Sequence, residues 1–311
     1  DESESRGLGD VYKRQKGNWD DSGTSGGFTP SAGTVTLSGD SKTITSHTNN
    51  NFFNLAIGAG SKEAESALDV NGTLTITGGT LNMKASEDNT LDLEGNFTLA
   101  SSGTFTAQGG SHDVLGNWDC SGGTFQSTSE GTVTLSGASK TITTGSSNEF
   151  FNLIITNSAS TAGSNDVEVE GTLTVSGSLT VSPGDVMTLE DATVTGTLTV
   201  DATGSNATLD FSSATNAVLS VTGTIRLDGN SSNRAIVVSD DGSRIDFSVT
   251  TNGVFNADYA TITYCDGNGV NITGGGTQVI SNVTFDYPPD NGTLLKVSSA
   301  TDLPTEITGC I

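Results

Sequence analysis

Asp240, Asp241, Asp246, Asp258 and Asp266, with Arg234 and Arg244 among them, are the residues of this chain whose types and spacing could do chemistry. Paired acids at a set separation hydrolyse glycosidic bonds. A base flanked by cations removes the proton α to a uronate carboxylate. Gathered on one face, these side chains would make a polysaccharide lyase or glycoside hydrolase. The opposing reading, which the sequence favours, makes them solvated turn residues, with the two arginines pairing to the acids across neighbouring segments. The chain has no motif with catalytic spacing, no nucleophile elbow, and no phosphate loop leading from strand to helix.

Calcium is the one ion for which the sequence offers ligands. Ser239-Asp240-Asp241-Gly242 and Asp266-Gly267-Asn268-Gly269 present oxygens on tight turns. Neither matches an EF-hand loop or a glycine-aspartate nonapeptide. No other cofactor is implied. The two histidines, His47 and His112, are expected at the surface, since His47 aligns with Gly145 in a repeated copy and His112 has no counterpart. Three cysteines cannot form a disulfide framework. Cys265 and Cys310 could pair if their segments are neighbours, but buried apolar thiols are the favoured reading for Cys120, Cys265 and Cys310. The Asn-x-Thr/Ser triplets at Asn71, Asn96, Asn206, Asn230, Asn271, Asn282 and Asn291 are as expected by chance in so polar a sequence.

Composition narrows the partners. The 311 residues carry a net charge of −24, only 12 of them being Lys or Arg, which argues against nucleic acid and anionic membrane surfaces. No run approaches the ~18 apolar residues of a membrane span. The hydrophobic fraction is 32%, a disorder-like value, yet the apolar residues alternate with Thr and Ser in a β pattern.

That pattern occurs twice. Gly17-Asn-Trp-Asp20, Gly33-Thr-Val-Thr-Leu-Ser-Gly39, Ser41-Lys-Thr-Ile-Thr45 and Phe52-Phe-Asn-Leu55 recur as Gly116-Asn-Trp-Asp119, Gly131-Thr-Val-Thr-Leu-Ser-Gly137, Ser139-Lys-Thr-Ile-Thr143 and Phe150-Phe-Asn-Leu153. The offset is 99 residues at Gly17/Gly116 and 98 at Phe52/Phe150. A finer formula (apolar, any, Gly, small polar, apolar) centres on Gly72, Gly95, Gly116, Gly171, Gly196 and Gly223, with gaps of 23, 21, 55, 25 and 27. One strand-bearing coil per twenty-odd residues predicts a β-solenoid whose glycines sit at corners. The alternative is a string of immunoglobulin-like β-sandwiches of about 100 residues, but sandwiches rarely repeat one glycine formula within a domain. Period two points Phe53, Leu55, Ile57, Val35, Leu37, Leu74 and Ile76 to one face and the threonines outward. Lys62–Leu68 is the only short helix candidate, and Pro288-Pro289 marks a loop. Rows such as Thr34/Thr36 and Thr73/Thr75 would suit ice only on a flat, unbroken face, which the uneven gaps oppose.

The sequence from Val254 to Cys265, Gly269 to Thr273 and Val279 to Phe285 resembles coils of right-handed parallel β-helix proteins of the pectate-lyase-like superfamily. The N-terminal repeats resemble those of large bacterial surface β-helix proteins and adhesins, whose units often read Gly-Asn-Trp, Gly-Thr-Val-Thr-apolar and Phe-x-Asn-Leu-x-Ile. Ser5–Gln15 is similar to the in-frame translation of a transposase-based sequencing adaptor. The resemblances imply an all-β, right-handed parallel β-helix with coils of roughly 20–27 residues. Residues 1–15 are then non-native and disordered. Residues 16–225 form a solenoid containing the copies 17–57 and 116–155, and 226–311 continue it towards a truncated C-terminus.

They also imply a non-enzymatic structural or adhesive segment of a larger bacterial surface or secreted protein, lying outside the cell. Glycans or host and cell-surface macromolecules are its partners, together with neighbouring coils of the same longer polypeptide. The alternatives are a carbohydrate-active β-helix enzyme and a non-catalytic glycan-binding module.

Overall fold

Thr-Val-Thr-Leu at residues 34–37 buries Val35 and Leu37 and leaves both threonines partly exposed, and Asn54–Ile57 repeats that alternation with Leu55 and Ile57. Such four-residue strands have one apolar face each and little stability alone. They are held by stacking on the equivalent strand of the next coil. The computed structural model describes residues 13–23, 28, 30–47, 50–84, 88–127, 130–156, 167–211, 216–239, 243–250, 253–273, 275–276, 278–286, 292–297 and 306–308. Among these there is no helix, and the chain divides into two compact units, residues 1–128 and 129–311.

Each unit is a parallel β-solenoid. In the first, one face stacks Thr34–Leu37, Asn54–Ile57, Leu74–Ile76, Phe97–Leu99 and Trp118–Asp119. A second face runs from Trp19–Asp21 through Lys42–Ser46, Gly60–Ala64, Gly79–Met83 and Thr104–Ala107 to Thr124–Ser127. A third carries Leu68–Val70, Leu91–Leu93 and Ser111–Val114. The second unit has three faces of the same kind. One contains Ala207–Asp210, Ala235–Val238 and Ala260–Thr263, and another Thr197–Asp201, Thr224–Asp228 and Val254–Asp258. The third runs from Thr172–Val175 through Asp191–Val194, Asn216–Val221 and Arg244–Val249 to Cys265–Ile272. Parallel ladders throughout exclude the sandwich alternative, whose sheets are antiparallel.

In-register pairing builds the core as columns of side chains about 4.8 Å apart. Leu55, Leu74, Phe97 and Trp118 form one column, and Leu153, Leu179, Leu198, Ile225 and Phe255 another. All are buried to within about 1% exposure, each worth ~1.5–3 kcal/mol of apolar burial. Coil length varies more than expected, from 19 residues (Leu179 to Leu198) to 30 (Ile225 to Phe255). Outward loops absorb the difference without disturbing the columns.

The corner glycines are required by close approach. A Cβ on Gly95 would lie 2.2 Å from the Gly72 carbonyl oxygen, and one on Gly116 would lie 2.1 Å from that of Gly95. Gly177, Gly196 and Gly223 stack in the same way. At Gly171 the reason is conformational, with φ at 93°.

Three expectations change. The helix candidate Lys62–Leu68 is strand instead: Lys62 and Ala64 lie in Gly60–Ala64, paired with Lys42–Ile44 on one side and Leu81–Met83 on the other, and Leu68 opens the next strand. Seven residues cannot sustain an isolated helix, whereas the strand gains ladder bonds on both edges. Lys62 is 1% exposed and donates from Nζ to the carbonyls of Ala59 (2.6 Å) and Gly39. Burial pushes its ammonium below the usual lysine range, against the pull of Asp40. Lys13–Gln15, expected in a disordered arm, form a strand against Val35–Leu37, because a parallel ladder needs backbone and not side-chain identity. Finally, Phe53, expected inward, is only partly buried, and Phe52 is the aromatic packed in the core. Residues 1–12 and Pro288-Pro289 lie outside the described residues.

Candidate functional site

The second unit holds the candidate acids and arginines; Arg244, Asp246 and Asp266 lie on neighbouring strands of one face, and Asp258 lies on another. Asp240 and Asp241, which serve both the enzyme and the calcium readings, lie outside the described residues, as does Cys310. Asp258 ends the strand Val254–Asp258 and accepts a hydrogen bond from Asn282 Nδ2 at 3.1 Å. Asp266 belongs to Cys265–Ile272 on a different face and accepts from Asn268, at 2.8 Å from its backbone N–H and 2.9 Å from Nδ2. Asp246 is exposed on Arg244–Val249, opposite an irregularity where Ile245 pairs with Cys265 but Phe247 with Val270.

Arg234 serves the backbone. Arg234 donates from Nη1 to the carbonyls of Ala260 (3.1 Å) and Asn282 (2.7 Å), which bridges two successive coils, while its own N–H is held by Asn206 Oδ1 at 2.7 Å. Arg244 lies over the Tyr264 ring, 5.5 Å from its centroid, with Nη1 3.5 Å from the Cys265 carbonyl. Tyr259 and Tyr264, at either end of Ala260–Thr263, and Asn282 have left-handed backbones with φ of 49°, 58° and 56°. These corners are where the coil turns sharply without glycine. Cys265 is a buried free thiol, pushed up to about 12 by burial and the Asp266 charge against the opposing pull of Arg244, and is therefore no nucleophile at neutral pH. It borders a shallow depression shared with Ile262, Phe285, Asp286, Thr293 and Leu294.

No group of three or more His, Cys, Asp or Glu side chains able to hold a metal ion occurs among the described residues. Asp266 and Asn268 face each other across their own turn, an arrangement that ties the loop together. The outward threonine column is not continuous: Thr36, Ala56, Thr75, Thr98 and Asp119 follow one another.

His112 is a correction. It was expected at the surface, yet it is fully buried, in phase with Val114 on Ser111–Val114. Its Nδ1 accepts the Leu91 backbone N–H at 3.2 Å and its ring meets Phe105 edge-on, 6.0 Å between centroids. Burial pushes it down to about 4, with the Gln108 backbone pulling weakly the other way. His47 is partly buried and its carbonyl accepts the Asn50 N–H at 2.9 Å.

One cluster was not anticipated from the sequence. Asp69, Asp92 and Asp113 are directly opposite one another on three successive strands, on the outer side of the face that carries His112 on its inner side. Asp69 is raised above the ordinary carboxylate range by partial burial, then by Asp92 and Glu94; Asp92 is raised by partial burial, then by Asp113 and Glu94. The signal was available. Each Asp immediately precedes the apolar residue that opens the glycine formula, at Val70, Leu93 and Val114.

Comparison of the chain with protein families, with curated proteins and with solved structures gave no match.

Proposed function

We propose that this chain is a non-enzymatic structural or adhesive solenoid, a segment of a larger bacterial surface or secreted protein that works outside the cell. The observation that carries this reading is where the repeated polar residues go. Asn54 and Asn152, equivalent in the two long copies, both direct Oδ1 to a backbone N–H of the following coil, at Thr73 (2.7 Å) and Ser178 (2.8 Å). Asp20 and Asp119 likewise accept from Ser22 and Ser121 within their own turns. What recurs is committed to scaffold, which leaves the outward loops to vary. The likeness of the repeats to bacterial surface β-helix proteins and adhesins supports the same reading, including its extracellular setting and its glycan or cell-surface partners.

The carbohydrate-active alternative needs its acids together, and Asp258 and Asp266 stand on different faces, the first bonded to Asn282 of the next coil and the second to Asn268 of its own turn. The test is incubation with acidic and neutral polysaccharides, with and without calcium, while unsaturated uronates and new reducing ends are followed. The scaffold reading expects no product from any substrate. Product that disappears in the Asp258→Asn, Asp266→Asn double variant would replace it with an enzyme.

A further inference from the structure

We propose that His112 is an acid-operated latch on the unit formed by residues 1–128. Protonation of Nδ1 releases the Leu91 N–H and opens the coil where Leu91–Leu93 meets Ser111–Val114.

The geometry makes the latch specific. A neutral imidazole accepts at Nδ1 only while that nitrogen keeps its lone pair. Here the lone pair receives a backbone N–H from the adjacent strand at 3.2 Å. A proton added to Nδ1 takes up that lone pair, so two N–H groups then face each other inside the core. The Leu91 donor is orphaned and a charged ring is left beside Phe105. Both are costly in an apolar interior. The Gln108 backbone favours the charged ring, but burial outweighs it.

Among the described residues of this unit no carboxylate is placed to stabilise the imidazolium. Asp69, Asp92 and Asp113 alternate to the outer face, and Asp88 and Glu94 are exposed. The strand Thr104–Ala107, which brings Phe105 to the ring, contains no titratable residue. Asp69 and Asp92 respond to acid in the opposite sense, since protonation relieves repulsion along their column. A loss of structure on acidification therefore cannot come from them.

The experiment measures hydrogen exchange at the Leu91 amide in the full chain between pH 8 and pH 5, expressed as protection after correction for intrinsic exchange. With the folded ring at about 4 and the exposed ring at 6.5, protection should fall on the order of 30-fold by pH 5. His112→Asn supplies an amide oxygen in place of Nδ1 and does not titrate, so its Leu91 protection should not fall. Equal pH dependence in the wild type and His112→Asn overturns the proposal. Should that variant fail to fold, the wild type decides alone by histidine-selective NMR, which has only His47 and His112 to resolve. A ring still mostly neutral at pH 5 while Leu91 protection falls supports the latch, because the proton enters through the minor open form. A ring protonated by pH 5 with Leu91 still protected, or protection that does not fall, overturns it.

Discussion

Asn54 Oδ1 accepts the backbone N–H of Thr73 at 2.7 Å and its hydroxyl at 3.1 Å, joining two coils through a side chain that belongs to the repeated sequence. The bond stands beside the corner where Gly72 must lack a Cβ, since one there would lie 2.3 Å from the same Oδ1. Side chain and glycine are two halves of one device. The glycine lets the coils approach, and the asparagine satisfies the N–H that the turn would leave without a strand partner.

Asn54→Ala should therefore destabilise residues 1–128 by about 1–2 kcal/mol, the cost of an orphaned backbone donor. The check is the shift of the urea unfolding midpoint at unchanged slope. An unshifted midpoint would mean that water replaces the side chain freely.

Corner glycines should be far less forgiving than exposed ones. Gly95→Ala puts a methyl 2.2 Å from a backbone oxygen and 2.5 Å from its carbonyl carbon, and neither atom can move by a rotamer change. A loss of about 3 kcal/mol or more is expected. Gly17, with nothing within 4 Å of a built Cβ, should accept Ala within about 0.5 kcal/mol. Thermal unfolding of both variants tests the contrast.

The fold was legible because its strands keep strict period two. Thr34–Leu37 and Asn54–Ile57 and their copies showed which side chains turn inward, and the glycine formula gave the approximate coil length. Period two says nothing about which polar residue the phase will carry inside. Lys62 is in phase with Ala64, and His112 with Val114, so both are buried despite their polarity. The helix reading of Lys62–Leu68 failed for that reason, because local composition gave way to the register of the neighbouring coils. The acidic column was hidden differently. Three aspartates more than twenty residues apart become neighbours only once the register is known. Arg234 read as a partner for acids because charge complementarity was the only signal in the sequence, whereas the coil stack offers it carbonyls at closer range.

Lys62→Met should cost about 1–3 kcal/mol, because the Ala59 and Gly39 carbonyls lose their donor inside the corner. Lys42→Met, one strand away and partly exposed, should stay within about 0.5 kcal/mol. Comparable losses at the two positions would show that the ammonium contributes little.

The acidic column fixes a pH dependence. Asp69 and Asp92 have folded values raised above the unfolded one, so the folded state binds protons more readily there. Their contribution to stability is fully present below the ordinary 3.8 and is lost as pH rises through the raised folded values. Asp92→Asn should therefore stabilise residues 1–128 at pH 7 by roughly a few tenths of a kcal/mol, since water screens these part-exposed groups. The gain should shrink in high salt and vanish below pH 3.8. Urea titrations at pH 7 and pH 3.5, each at two salt concentrations, would reveal it. A gain independent of pH would place the effect in packing and not in charge.

The claim that the repeated sequence is scaffold is tested most directly by one comparison of unfolding free energies in urea, Asn152→Ala against Asn268→Ala. Asn152 belongs to the repeat and bonds Ser178 N–H across coils at 2.8 Å, whereas Asn268 is exposed and bonds only within its own turn. The account predicts a loss of about 1–2 kcal/mol for the first and a change within about 0.5 kcal/mol for the second. Equal effects, or the larger loss at Asn268, would contradict it.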